Sequence, residues 1–296
     1  MKRPQLRGLI VSVVTPFAED FSVNYEALHR HVDWLVSQGV HGLLIGATAG
    51  EYASLSDDER LEIARRAVAA VGGRVPVIAY TGHLNRNQML ALARGLEQAG
   101  ADAVMLAPPL VVGPTQDEIE SYARDAASAV SIGVVVYNQP GRTGTVIEPQ
   151  TMIRLSAVPN IVAMKESGKN LEATTDVING AHDGFAVLAG EADLFLASLA
   201  LGVTGGILTP SNFVPKLTLN IYDAFQRGDL PEARRWNVKL FGLLHVLRGD
   251  RKYHSAVKAA MRELGMPAGL PRPPLTDVSP ALKQQVKAYL TEAGLL

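Results

Sequence analysis

The chain has 296 residues, 47% hydrophobic and 19% charged, which is ample for a large core and is not a disordered composition. Its 28 basic and 29 acidic residues give a formal net charge of −1 with no block of like charge, which argues against nucleic acid or an anionic membrane as partner but leaves a small anionic substrate open. The absence of cysteine excludes disulfides, thiolate nucleophiles and cysteine-based metal sites.

The N-terminus places basic residues before the short apolar stretch Gly8–Val14, which runs into Thr15-Pro16 without a small-residue cleavage site. It reads as a first strand, Leu9–Val14, rather than a signal peptide. No apolar run reaches about 18 residues, so no membrane span is expected and a cytoplasmic soluble protein is the default. A helix over Tyr25–Ser37 follows, stopped by Gly39. Strand Gly42–Ile45 leads into the glycine-rich loop Gly46-Ala47-Thr48-Ala49-Gly50-Glu51, and Ser56-x-x-Glu59 forms a capping box for the helix Asp57–Val71. Strands Val75–Tyr80, Ala103–Leu106 and Gly133–Tyr137 alternate with helices Asn87–Gln98 and Gln116–Val130. Helix Pro149–Ser156, strand Ile161–Lys165, helix Leu171–Asn179, strand Phe185–Ala189, helix Asp193–Leu201, strand Gly205–Leu208 and helix Pro215–Gln226 complete the alternation. These strands are continuous apolar runs, as parallel strands buried on both faces require.

Eight such units predict a closed (β/α)8 TIM barrel over residues 1–227, a fold of about 250 residues that forms one domain. Beyond Gly228 the spacing predicts helices only, Leu230–Leu247, His254–Leu264 and Pro280–Ala293. This makes 228–296 a C-terminal three-helix extension, with the Pro-rich stretch Gly269–Pro274 as a rigid linker within it.

Barrel chemistry sits at the C-terminal ends of the strands. Lys165 ends an apolar strand, where an amine is costly unless paired or used. Either its stem packs and its amine reaches solvent or Glu166, or desolvation keeps the amine partly neutral and able to attack a carbonyl. Tyr137 ends the preceding strand, as a rim aromatic or as a proton shuttle. The glycine-rich loop could bring backbone N–H groups close to a carboxylate, but it lacks the Gly-Lys-Ser/Thr of a phosphate loop. The turn Gly202–Gly206 is equally unspecific. The seven histidines show no HExxH pairing and read mostly as surface or capping residues, and no Gly-x-Ser-x-Gly elbow occurs. Neither a metal nor any cofactor is expected.

Taken together, Thr48-Ala49-Gly50-Glu51, Tyr137-Asn138-x-Pro140-x-Arg142-Thr143-Gly144 and Met164-Lys165-Glu166-Ser167 resemble the dihydrodipicolinate synthase / N-acetylneuraminate lyase family of class I aldolases. The resemblance runs from Val14-Thr15-Pro16-Phe17 to the last helices. It implies that Lys165 forms a Schiff base with pyruvate or another 2-oxo acid and that Tyr137 shuttles protons, hydrogen-bonded by Thr48. The backbone of Thr48 and Ala49 would hold the 2-oxo acid carboxylate, Gly190 and Ile207 would flank the imine, and Arg142 would bind the far end of the substrate. A homotetramer, a dimer of dimers, is implied as well.

Two departures from the family pattern bear on substrate. Ala49 stands where a second hydroxyl residue is usual. Pro108-Pro109-Leu110-Val111 replaces a Pro-Tyr-Tyr whose second tyrosine crosses a subunit interface to complete a proton relay. The sequence therefore favours an aldolase or dehydratase of a 2-keto-3-deoxy sugar acid type. Retained Arg142 supports an alternative, dihydrodipicolinate synthase itself, which joins pyruvate to aspartate semialdehyde. A non-catalytic 2-oxo acid binding protein is opposed by intact Lys165 and Tyr137.

Overall fold

The structure, a computed structural model, describes residues 4–294 and 296. The eight parallel strands are β1 (Gly8–Ser12), β2 (Gly42–Ile45), β3 (Val77–Tyr80), β4 (Ala103–Leu106), β5 (Gly133–Asn138), β6 (Ile161–Glu166), β7 (Ala186–Ala189) and β8 (Gly205–Leu208). They pair in sequence order, and β8 returns to β1 to close the barrel. Closure brings two backbones together at Gly8 and Gly205. A Cβ on Gly205 would stand 2.1 Å from the Gly8 carbonyl oxygen, so only glycine fits there.

The connections are helices α1 (Tyr25–Ser37), α2 (Asp57–Val71), α3 (Arg86–Gln98), α4 (Gln116–Ala129), α5 (Pro140–Thr143), α6 (Pro149–Ser156), α7 (Leu171–Gly180), α8 (Phe195–Leu201) and α9 (Pro215–Gln226). The extension adds α10 (Leu230–Leu247), α11 (Tyr253–Glu263) and α12 (Pro280–Glu292). The Ser56–Glu59 capping box forms, and Thr115 with Glu118 makes a second one.

Observed ends differ from the sequence reading by one or two residues, for local reasons. β1 stops at Ser12 because the Val14 N–H donates to the Asn212 side chain instead of to a strand. β3 begins after Pro76, which has no N–H to give a ladder. The segment before α8 opens as a 3-10 turn over Ala192–Leu194. The segment after β5, for which the sequence reading gives no element, contains the one-turn helix α5, stopped by Gly144 at φ 75°.

Strand periodicity sorts side chains between two cores. Ile10, Leu44, Ile78, Met105, Val135 and Leu188 point into the barrel, while their neighbours Leu9, Leu43, Val77, Val104, Val134 and Val187 pack under the helices. Tyr137 continues the inward set two residues after Val135, and Lys165 does so two residues after Ala163. α10 packs on α9 and α12, which places the extension beside the barrel wall. Among the described residues no helix is long and apolar enough to cross a membrane.

Candidate active site

At the C-terminal mouth of the barrel lies a cavity of about 480 Å³, lined by Thr48, Ala49, Tyr137, Arg142, Lys165 and Gly190 among others. Tyr137 and Lys165 are direct register partners of β5 and β6. The Lys165 Nζ stands 4.2 Å from the centre of the Tyr137 ring. Lys165 is 5% exposed, and among the described residues no carboxylate lies within ion-pair distance of its amine. The carboxylate of Glu166 is engaged elsewhere, by the Asn138 side-chain amide at 2.9 Å and the Gly168 N–H. Burial therefore pulls the lysine down to about 7; Glu191 opposes that shift through its charge and Arg142 adds to it. An amine in that state is a nucleophile near neutral pH.

Burial pushes the Tyr137 phenol well above its ordinary value, so it holds its proton. Its hydrogen-bond partner is the Ser167 hydroxyl at 3.4 Å. This corrects the expected bond from Thr48, which lines the same cavity without one to the phenol. Ser167 lies two residues past Lys165, so strand alternation turns both toward the mouth, a signal present in the sequence itself.

Gly190 follows β7 in a space with no room for a side chain. An added Cβ would meet the Ser167 Oγ at 2.1 Å and the Lys165 Cε at 3.1 Å. Ile207 is buried in the barrel interior on β8, below the cavity rather than on its wall. In the glycine loop, the backbone N–H groups of Thr48 and Ala49 have no hydrogen-bond partner among the described residues. Two such N–H groups at the cavity wall can receive an anion.

Arg142 rides on α5, and its guanidinium donates to the His254 Nε2 at 3.1 Å. Because an arginine only donates, that bond assigns the proton of the imidazole to Nδ1. Burial takes His254 down to about 3, with the charges of Arg142 and Lys165 adding to the effect, so the ring is neutral at working pH. Arg248 reaches Asp193 at 3.0 Å, and Lys169 reaches both Glu191 and Asp193 at 3.3 Å, balancing charge along one rim.

Arg248, Tyr253 and His254 all come from the C-terminal extension. The reading of most histidines as surface or capping residues fails for His254 and for His31, which is buried on Asn212. No local pattern announces these residues, since His254 lies 112 positions from Arg142. Leu110 and Val111 follow β4 and do not line the Lys165 cavity; Leu110 lines a separate one and Val111 is 93% exposed. Among the described residues no group of three or more metal-ligating side chains occurs.

A family profile described as the dihydrodipicolinate synthetase family matches residues 5–293. A protein of Cellvibrio japonicus named 4-hydroxy-tetrahydrodipicolinate synthase is 36% identical over 290 residues, covering 98% of this chain and 100% of the relative. One of the same name from Archaeoglobus fulgidus is 36% identical over 289 residues, covering 98% and 99%. Among solved structures, a prophage protein of E. coli K12 from the dihydrodipicolinic acid synthase family, in complex with pyruvate, superposes with a TM-score of 0.94. It is 28% identical, with coverage of 98% of this chain and 99% of that one. With the barrel, the mouth cavity and these full-length matches together, the chain belongs to the dihydrodipicolinate synthetase family and is an enzyme, a lyase of the class I aldolase type.

Proposed function

We propose that Lys165 forms a Schiff base with a 2-oxo acid, pyruvate first among them. The observation that carries the proposal is a buried amine with no carboxylate within ion-pair distance among the described residues, one strand from a protonated phenol. The neutral amine adds to the ketone carbon, and Tyr137 relays a proton to the oxygen, which leaves as water. The resulting iminium withdraws electrons, so that C3 of the substrate loses a proton, or its bond to a neighbouring carbon, to give an enamine. The N–H groups of Thr48 and Ala49 receive the carboxylate, Arg142 takes the far end of the substrate, and Gly190 leaves space beside the imine. Ile207 supports the site from below. The chemistry needs no cofactor. Pyruvate followed by borohydride should attach one adduct to Lys165, and Lys165→Ala should abolish it. An adduct on another lysine would sink the mechanism.

For the full reaction, the relatives' name favours condensation of pyruvate with aspartate semialdehyde, and Arg142 suits the carboxylate of that partner. That moves the weight away from the hydroxy-2-oxo acid reading taken from the sequence. The second reading keeps one specific support, the lack of a phenol at Leu110 and Val111. Assaying the condensation beside cleavage or dehydration of 2-keto-3-deoxy sugar acids separates the two. We also propose a homo-oligomer, a dimer of dimers, supported by the apolar side chains of Leu84, Val111 and Val112, which are 60%, 93% and 68% exposed. Sedimentation equilibrium tests it, and a monomer would refute it.

A further inference from the structure

Beneath the glycine loop lies an ion pair that the chemistry above does not use. Lys258 on α11 is 1% exposed, and its Nζ lies 2.5 Å from the Glu51 Oε1. The same amine donates to the Leu270 carbonyl at 3.2 Å and sits 4.2 Å from the centre of the Phe17 ring. The other oxygen of Glu51 accepts the backbone N–H of Arg272 at 2.9 Å. The Arg272 guanidinium in turn binds Glu59 on α2 and the carbonyls of Phe21 and Ser54. The extension thus grips a single carboxylate at the end of the loop Thr48–Glu51.

Glu51 is itself strained. Its φ of 57° is in the left-handed region, which a residue with a Cβ occupies only when its surroundings impose it. The neighbouring Gly50 carbonyl is pinned as well, by the Thr15 hydroxyl at 2.7 Å. These two anchors hold the end of the loop that carries the unpartnered N–H groups of Thr48 and Ala49. A buried ion pair is weak as a source of stability, because desolvation offsets most of its attraction, and a well-packed apolar pair can serve as well. What it supplies here is orientation.

We propose that Glu51, held by Lys258 and the Arg272 amide, is a positioning residue for the carboxylate-receiving loop, so that the C-terminal extension sets the affinity for the 2-oxo acid. The inference rests on the reading of Thr48 and Ala49 as carboxylate donors. Lys258 also follows His254 by four residues, so one face of α11 carries both the clamp and a side chain of the cavity wall.

The test is reductive trapping on the full-length protein with two ketones, pyruvate and acetone, which lacks the carboxylate. Lys258→Met, Glu51→Gln and the double variant are compared with the wild type, each checked for folding by circular dichroism. The double variant removes both buried charges and guards against a fold lost to one stranded ion. The pyruvate concentration for half-maximal trapping should rise about tenfold or more, with full labelling at saturation and unchanged trapping of acetone. Folded variants with wild-type half-saturation would overturn the inference, as would equal losses with both ketones, which mark general disorder of the mouth. If none of the three folds, the pair serves stability and the inference is equally overturned. A wild type not labelled by pyruvate would instead remove the Schiff-base reading itself.

Discussion

Lowering the pH through the neutral range should switch off imine formation by protonating Lys165. The ordinary lysine value is 10.5 and the buried amine lies at about 7. At pH 7 that raises the neutral fraction from roughly one in three thousand to about one half. The same displacement is on the order of 5 kcal/mol of disfavoured charge. Initial rates of pyruvate imine trapping by cyanoborohydride, followed from about pH 5 to pH 9, should rise tenfold per unit below 7 and level off above it. The direction can be pushed both ways. Glu191→Gln removes a charge that favours the ammonium and should move the limb to lower pH, whereas Arg142→Ala should move it higher. His254, at about 3, cannot produce this limb. A limb close to that of free lysine would show that the amine is hydrated in solution and refute the desolvation argument.

Lys165→Met should stabilise the fold, because a charged amine there is costly. Between about 7 and 10.5 the unfolded lysine is protonated and the folded one is not, so wild-type stability rises with pH. The variant's gain, a few kcal/mol on the order-of-magnitude scale, should be largest below 7 and fade by 10.5 in urea titrations; equal stability at both ends would contradict it. Tyr137→Phe should lower turnover by about 10²–10⁴ while leaving pyruvate binding nearly intact, and wild-type turnover would remove the phenol from the proton path. Arg142→Ala should raise KM for the full substrate by the equivalent of about 1.5–3 kcal/mol and, measured at a pH above the limb, spare pyruvate trapping; equal damage to both at that pH would place the guanidinium on pyruvate itself. Gly190→Ala forces a methyl against Ser167 and Lys165 and should slow trapping at unchanged stoichiometry, an effect that normal kinetics would rule out.

Much of the barrel was legible because its cause is local. Continuous runs such as Ala103–Leu106 and Gly205–Leu208 mark strands buried on both faces, and caps such as Ser56 mark helix starts. The one-turn helix α5 was missed because four residues carry too little periodicity to read. Lys165 and Tyr137 stand out because each ends an apolar strand, the family motifs carry Thr48 and Arg142, and the wider resemblance carries Gly190. What remained hidden arrives from far along the chain. Arg248, Tyr253 and His254 reach the cavity only because α10 packs back on α9, and Glu51 reads as a loop residue until Lys258 is seen against it.

The direct register pairing of Tyr137 with Lys165 has a consequence for motion. Both side chains hang from paired ladder positions of adjacent strands in a closed sheet, so their spacing cannot loosen without strand separation. In hydrogen exchange, the strand amides of β5 and β6 should open only with the whole molecule, while those around Arg142 on its single helical turn should open earlier and independently. Proton and imine chemistry would then inherit the rigidity of the core, and recognition of the second reactant would be left to the part of the mouth that can yield.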